Sequence, residues 1–200
     1  MDKIAPTDFS VHELIARRWS PRAIDPERPV PHDHVLSLLE AARWAPSCFG
    51  DEPWHYVVCD RERDRPAWEA ALGCLTDKNQ SWAQRAPVLI VAVASAAFRD
   101  SGKPNRWGEY DTGAASENLC LQATALGLAV HQMGGFDVDQ ARQALALPEG
   151  VTPMAVIAVG YPGEASLLDE PLRERERAER RRRPMAETCF AGRWGKAVSD

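Results

Sequence analysis

The chain has 200 residues, 44% hydrophobic and 8% aromatic, enough apolar material for the core of one ordinary domain or two small ones, of which one is the simpler reading. A formal net charge of −5 and a pI near 5.6 argue against an overall nucleic-acid-binding surface. Met1 to Pro6 lacks the apolar stretch of a secretory signal and no apolar run reaches the length of a membrane span, so a cytoplasmic protein is expected.

Ser10 with Glu13 has the form of a capping box, and Val11, Leu14 and Ile15 then give an apolar helical stripe. After the Pro-rich stretch from Pro26 to Pro31, Val35, Leu38, Leu39 and Ala42 recur at helical spacing, with Pro46 marking the end of that helix. His55 to Cys59 reads as a strand, and Arg65 to Leu75 as a helix with Pro66 near its start. The continuous apolar run from Val88 to Val93 predicts a central strand covered on both faces. Tyr110 to Leu128 is a long helical pattern rich in small residues, ended near Gly127, and Asp137 with Gln140 opens a shorter helix. Met154 to Val159 is a second buried strand, closed by the turn signature Gly160-Tyr161-Pro162-Gly163.

Residues 169–183 are almost all Glu and Arg, a composition of solvated helix or loop, and Arg180 to Arg183 stand out at its end. From Met185 through Cys189, Phe190 and Trp194 the chain turns apolar again, so residues 184–200 form a further ordered element rather than a loose tail. Cys48, Cys59, Cys74, Cys120 and Cys189 are odd in number and include no Cys-x-x-Cys pair, and they read as reduced, mostly buried thiols. Cys48 is either a small apolar filler or a reactive thiol. His32-Asp33-His34 has no third ligand in view and reads as the polar first turn of a helix, so no metal is expected.

Four short motifs span the chain. They are Arg17-Arg18-Trp19-Ser20-Pro21-Arg22; Ala45-Pro46-Ser47 leading to Glu52-Pro53-Trp54; Met133-Gly134-Gly135-Phe136; and Arg182-Arg183-Pro184 before Phe190 to Gly195. In their order and spacing they resemble the FMN-dependent nitroreductase family. Taken alone, the first is an Arg pair at a helix carboxyl terminus and the third a plain glycine turn.

The resemblance implies an α+β fold with a central mixed sheet flanked by helices, a single domain over residues 1–200, and a homodimer whose carboxyl-terminal extension is exchanged with the partner subunit. It implies FMN as cofactor, NAD(P)H as electron donor, and a nitroaromatic, quinone or similar small-molecule acceptor, reduced by a ping-pong mechanism with no nucleic acid or membrane involved. A specialised FMN enzyme with a non-nitro substrate, or a flavin binder with little turnover, are the alternatives. By the same resemblance, Arg17, Arg18, Trp19, Ser20 and Arg22 would grip the phosphate and ribityl oxygens. Backbone at Pro46, Ser47, Met133, Gly134 and Gly135 would approach the ring, and Arg182 and Arg183 would add phosphate donors.

No catalytic side chain is nominated, since the flavin carries the hydride. No separate dinucleotide fingerprint is present either, as expected where the nicotinamide stacks on the flavin. The second motif departs from the family's pattern: Gly50 stands where an Asn is usual and Glu52 where a Gln is usual. A charged Glu52 at the ring would disfavour an anionic reduced flavin unless it pairs with an Arg or points away.

Overall fold

A strand apolar on both faces needs cover on both, and Val88–Ser95 receives it. The structure is a computed structural model describing residues 3–198, so Met1, Asp2, Ser199 and Asp200 lie outside the described residues. Its strands are β1 (Trp54–Asp60), β2 (Val88–Ser95), β3 (Ala129–Met133) and β4 (Val151–Gly160), in the sheet order β1-β2-β4-β3. The helices are α1 (Glu13–Arg17), α2 (His32–Arg43), α3 (Arg65–Gly73), α4 (Asp77–Ala83), α5 (Gly108–Ala125), α6 (Val138–Ala144) and α7 (Glu170–Arg177). Val88, Ile90 and Ala92 pack with α2 and α5 on one face of the sheet; Leu89, Val91 and Val93 pack with α3 and α4 on the other. Trp54 belongs to the first of these cores.

The resemblance implied a mixed sheet, and the described strands correct that. Every pairing among the described residues is antiparallel. β2 and β3, joined through α5, run in the same direction, but β4 lies between them and opposes both. Pro153 in β4 has no amide hydrogen to give to a ladder, and the register with β2 shifts there, between Ala92 and Val93.

Two further expectations change in detail. Ser10 does not cap the first helix: His12 is the N-cap, its Nδ1 accepting from Leu14 N at 3.2 Å, and α1 has only five residues. Val11 and Ile15 are consequently 43% and 53% exposed rather than buried as a stripe. α4 is an added helix that the sequence pattern missed, because only Trp82 and Ala83 of Asp77–Ala83 are buried.

The other boundaries hold closely. Asp64 caps α3 ahead of Pro66, and Asp137 caps α6 through Gln140 N. Gly127, at φ +70°, follows α5 in the left-handed region that glycine favours. At the other end of α5, a Cβ on Gly108 would lie 2.3 Å from the Ser95 carbonyl oxygen, so only glycine lets the helix start against β2.

The charged segment forms α7, with Leu172 and Glu176 turned inward. Beyond it, residues 184–198 hold a short turn at Met185–Glu187, an antiparallel bridge of Phe190 to Ala197, and the Phe190 and Trp194 rings 4.8 Å apart. Met185 is 47% and Trp194 90% exposed in the single chain. All five cysteines are free: Cys59, Cys74 and Cys120 are buried, Cys48 and Cys189 half-buried. Among the described residues no helix is long and apolar enough to cross a membrane.

Candidate active site

α1 ends at Arg17 and the chain leaves it extended, so successive side chains point to alternate sides. Arg18 turns toward α5: its Nη1 donates to Ser20 Oγ at 3.3 Å, and its Nε lies 3.3 Å from Glu117 Oε1. Burial pushes the Glu117 carboxyl above its ordinary value, and the Arg18 charge opposes that. Arg17 and Trp19 face the other way, into a groove of about 560 Å³ at the start of β3. The first motif is thereby split, Arg18 with Ser20 on one side and Arg17 with Trp19 on the other.

The turn from Arg18 to Ala23 is held from three directions. His131 on β3 is in contact with the Pro21 carbonyl through Nδ1 at 3.1 Å, and since a carbonyl can only accept, Nδ1 carries the proton. Burial, then the nearby Arg22 charge, push this imidazole down to about 4, against hydrogen bonds to the Pro21 and Ser20 backbone that raise it. It is neutral at ordinary pH, and its ring sits 4.8 Å from that of Trp82.

From α7, the Glu176 carboxylate accepts from Arg22 N at 3.0 and 3.1 Å and from Ala23 N at 3.0 Å, although the residue is only 5% exposed. Arg180 donates to the carbonyls of Lys3 at 2.7 Å, Ala16 at 2.6 Å and Arg18 at 2.9 Å. Lys3 reaches back to the carbonyls of Glu176 and Ala178. Arg182 and Arg183, by contrast, are exposed; among the described residues Arg182 Nη1 donates only to the adjacent Arg181 carbonyl, at 3.0 Å.

At the carboxyl end of β3 the two glycines do different work. Met133 is 2% exposed, its side chain in the core, so it can offer the site only backbone. A Cβ on Gly134 would meet nothing within 4 Å, which leaves open space over that peptide. A Cβ on Gly135 would sit 2.8 Å from Asn79 Nδ2 and 3.2 Å from Thr76 Oγ1, and its carbonyl accepts from Thr76 N and Asn79 Nδ2. A side chain at Gly135 would press on Thr76 and Asn79 at the start of α4, and Gly134 leaves the approach open. β3 runs back along α5 from the turn at Gly127, and Gln132 Nε2 reaches Cys120 Sγ at 3.3 Å. Glu117, the partner of Arg18, lies one turn back along α5 from Cys120.

Pro46 and Ser47 lie elsewhere, in a depression of about 450 Å³ with Arg43, Trp44, Gly50 and Glu52. Three residues here are left-handed, Phe49 at φ 56°, Gly50 at 66° and Glu52 at 52°, and Phe49 is 93% exposed. The loop is pinned nonetheless: Ser47 Oγ accepts from Glu52 N at 3.0 Å, and Cys48 N donates to Asp111 Oδ2 at 2.9 Å. Buried Asp51 accepts from Arg99 N at 2.9 Å and Asn105 Nδ2 at 3.1 Å. The Glu52 charge is felt at Arg43, whose guanidinium is itself bonded to Glu40. Asp111 and Glu117 are six residues apart on α5, about 9 Å along its axis. The two groups of motif residues thus flank one helix, and no hydrogen bond joins them among the described residues.

With this geometry in place, the comparisons decide the family. The model of the Nitroreductase family matches residues 15–161. The chain belongs to that family. A solved structure described as an oxidoreductase containing FMN is 34% identical, covers 96% of each chain, and superposes with a TM-score of 0.89. An NADH dehydrogenase of Thermus thermophilus is 30% identical over 168 residues, 68% of this chain and 79% of that protein. An uncharacterized 15.4 kDa protein of Mycolicibacterium smegmatis is 37% identical over 130 residues, 64% of this chain and 84% of its own.

In this nitroreductase-family chain, sequence reasoning missed Glu117, His131, Glu176 and Arg180. Glu176 carried a readable signal. Leu172 and Glu176 are spaced by four on α7 and the leucine is buried, so the glutamate lies on the inward stripe of its helix.

Proposed function

We propose that the chain is a cytoplasmic, homodimeric FMN-dependent oxidoreductase that takes hydride from NAD(P)H and passes it to a small conjugated acceptor such as a nitroaromatic or a quinone. The observation that carries this reading is the donor set of Arg18, Ser20 and Arg22 on one turn, and the open space over the Gly134 peptide is in keeping with it. The donor set suits a phosphoester: guanidinium groups make charge-assisted, forked hydrogen bonds to phosphate, and a hydroxyl beside them suits a polyol chain. Open space over Gly134 suits a flat ring approaching a backbone N–H.

FMN, when bound, supplies the hydride-accepting ring, and the chain's own residues bind and orient it. Arg18 and Arg22 hold the phosphate, Ser20 the ribityl chain, and Gly134 N–H faces the ring, with Met133 and Gly135 fixing the backbone on either side. Arg182 and Arg183 stand at the exposed rim as secondary phosphate donors, and Arg17 and Trp19 serve the neighbouring groove. The Pro46–Ser47 loop of a second copy completes the enclosure. Exposed Ile4, Phe9, Val11 and Ile15, together with Met185 and Trp194, supply the apolar surface such a dimer would bury, its carboxyl-terminal extension reaching across the partner. Donor and acceptor would take turns at one open face of the ring, giving ping-pong kinetics.

The test is to release the pigment of the purified protein and weigh it. FMN is expected. FAD would contradict the single-phosphate site, and the absence of flavin would overturn the reading.

A further inference from the structure

Burying a carboxylate is costly unless its oxygens are satisfied, and Glu176 is 5% exposed; among the described residues no Lys or Arg side chain is in ion-pair contact with it, although the Arg22 charge is near enough to be felt. What satisfies it is backbone. Arg22 N and Ala23 N both point into the carboxylate, at 3.0 to 3.1 Å. The amide of Arg22 is thereby fixed in direction, and with it the Cα from which its guanidinium springs. Arg180 does the complementary thing four residues later, donating to the Arg18 carbonyl, to the Ala16 carbonyl that also accepts from Ala5 N, and to that of Lys3. Glu176 takes two donors of the turn and Arg180 the carbonyl at its start, and both come from the charged segment, 153 or more positions away in the chain.

We propose that Glu176 and Arg180 are positioning residues for the cofactor phosphate: they hold the Arg18–Ala23 turn in the shape that aims the Arg18 and Arg22 side chains at one anion. This rests on the FMN reading above. A flexible turn would have to be ordered each time an anion bound, and the entropy of that ordering would be subtracted from affinity. The two residues order the turn in advance. Neither touches the cofactor, and neither is needed to hold the flavin ring, which faces Gly134.

The effect should therefore be specific to the phosphate, and riboflavin, which has the ring and ribityl chain without the phosphate, is the probe that shows it. Dissociation constants for FMN and riboflavin are measured by flavin fluorescence on the full-length protein, deflavinated, for wild type, Glu176→Gln, Arg180→Gln and Leu172→Ala. Leu172→Ala loosens α7 without touching the turn. In Glu176→Gln one oxygen is replaced by an amide that faces donors. FMN binding should weaken about tenfold or more in Glu176→Gln and in Arg180→Gln, while riboflavin binding stays within about twofold of wild type. Leu172→Ala should lower the melting temperature and leave the FMN-to-riboflavin ratio where it was.

Parallel weakening of both flavins in the two positioning variants would reduce them to ordinary structural residues and overturn the proposal, as would unchanged FMN affinity. Should Glu176→Gln not fold, Arg180→Gln alone carries the same decision. A wild-type protein that binds FMN no better than riboflavin would overturn the phosphate site itself, and this proposal with it.

Discussion

His131 offers a quantitative check on how the Arg18–Ala23 turn is supported. Its imidazole is pushed to about 4 by burial and by the Arg22 charge, against an ordinary value of 6.5. As pH falls below 6.5 the unfolded chain takes up the proton first, so stability is full above that value and is lost progressively down to about 4. At about 1.4 kcal/mol per pH unit, the whole window removes about 3 kcal/mol. His131→Asn isolates this contribution, because an Asn side-chain amide can still donate toward the Pro21 carbonyl but does not titrate. Urea unfolding of both proteins, at one protein concentration and at pH from about 8 to about 4, gives the stability difference while other titrations cancel. The difference should be flat above about pH 6.5 and then move against wild type by about 3 kcal/mol on the way down. A difference that stays flat over the whole range would show that His131 protonates in place without penalty and would refute the reasoning.

Other variants separate the roles assigned to neighbouring residues. Arg18→Ala should weaken FMN binding by about 1.5 to 3 kcal/mol, measured by flavin titration, and the exposed Arg182→Ala by less than half of that. Gly135→Ala forces a Cβ to 2.8 Å from Asn79 and should lower stability by about 1 to 3 kcal/mol in urea unfolding. Gly134→Ala meets no such neighbour and should keep wild-type stability while losing flavin affinity, so a loss of fold at position 134 would contradict the open face there. Truncation after Pro184 should weaken the dimer and release FMN together; sedimentation showing an intact dimer with full flavin content would remove the extension from the interface.

The long elements were legible because their signals are local. The two-faced apolar run of β2, the small-residue pattern of α5 ended at Gly127, and the Asp137 cap of α6 each act over a few residues, and the structure keeps all three. The mixed sheet failed because strand order is not a local property: β4 enters between β2 and β3 only through pairings between segments far apart in the chain. At the site, the motif residues could be named but not sorted. That Arg17 and Trp19 turn away from Arg18 and Ser20 follows from an extended backbone after α1, a local conformation with no signal in the sequence pattern. Arg180 was hidden in a run of four arginines whose composition reads as solvated; only the fold shows that this one reaches three carbonyls, while Arg181 to Arg183 are exposed. In its own chain the Glu52 carboxylate shares a depression with Arg43, a local pairing that the sequence could not show.

The most direct test of the account is the visible spectrum of the purified protein mixed anaerobically with NADH and, separately, with NADPH. Hydride transfer from either nucleotide should bleach the flavin absorbance rapidly, and a quinone or nitroaromatic added afterwards should restore it. A yellow protein whose spectrum both nucleotides leave unchanged would be a flavin binder rather than an oxidoreductase, and the functional claim would fail.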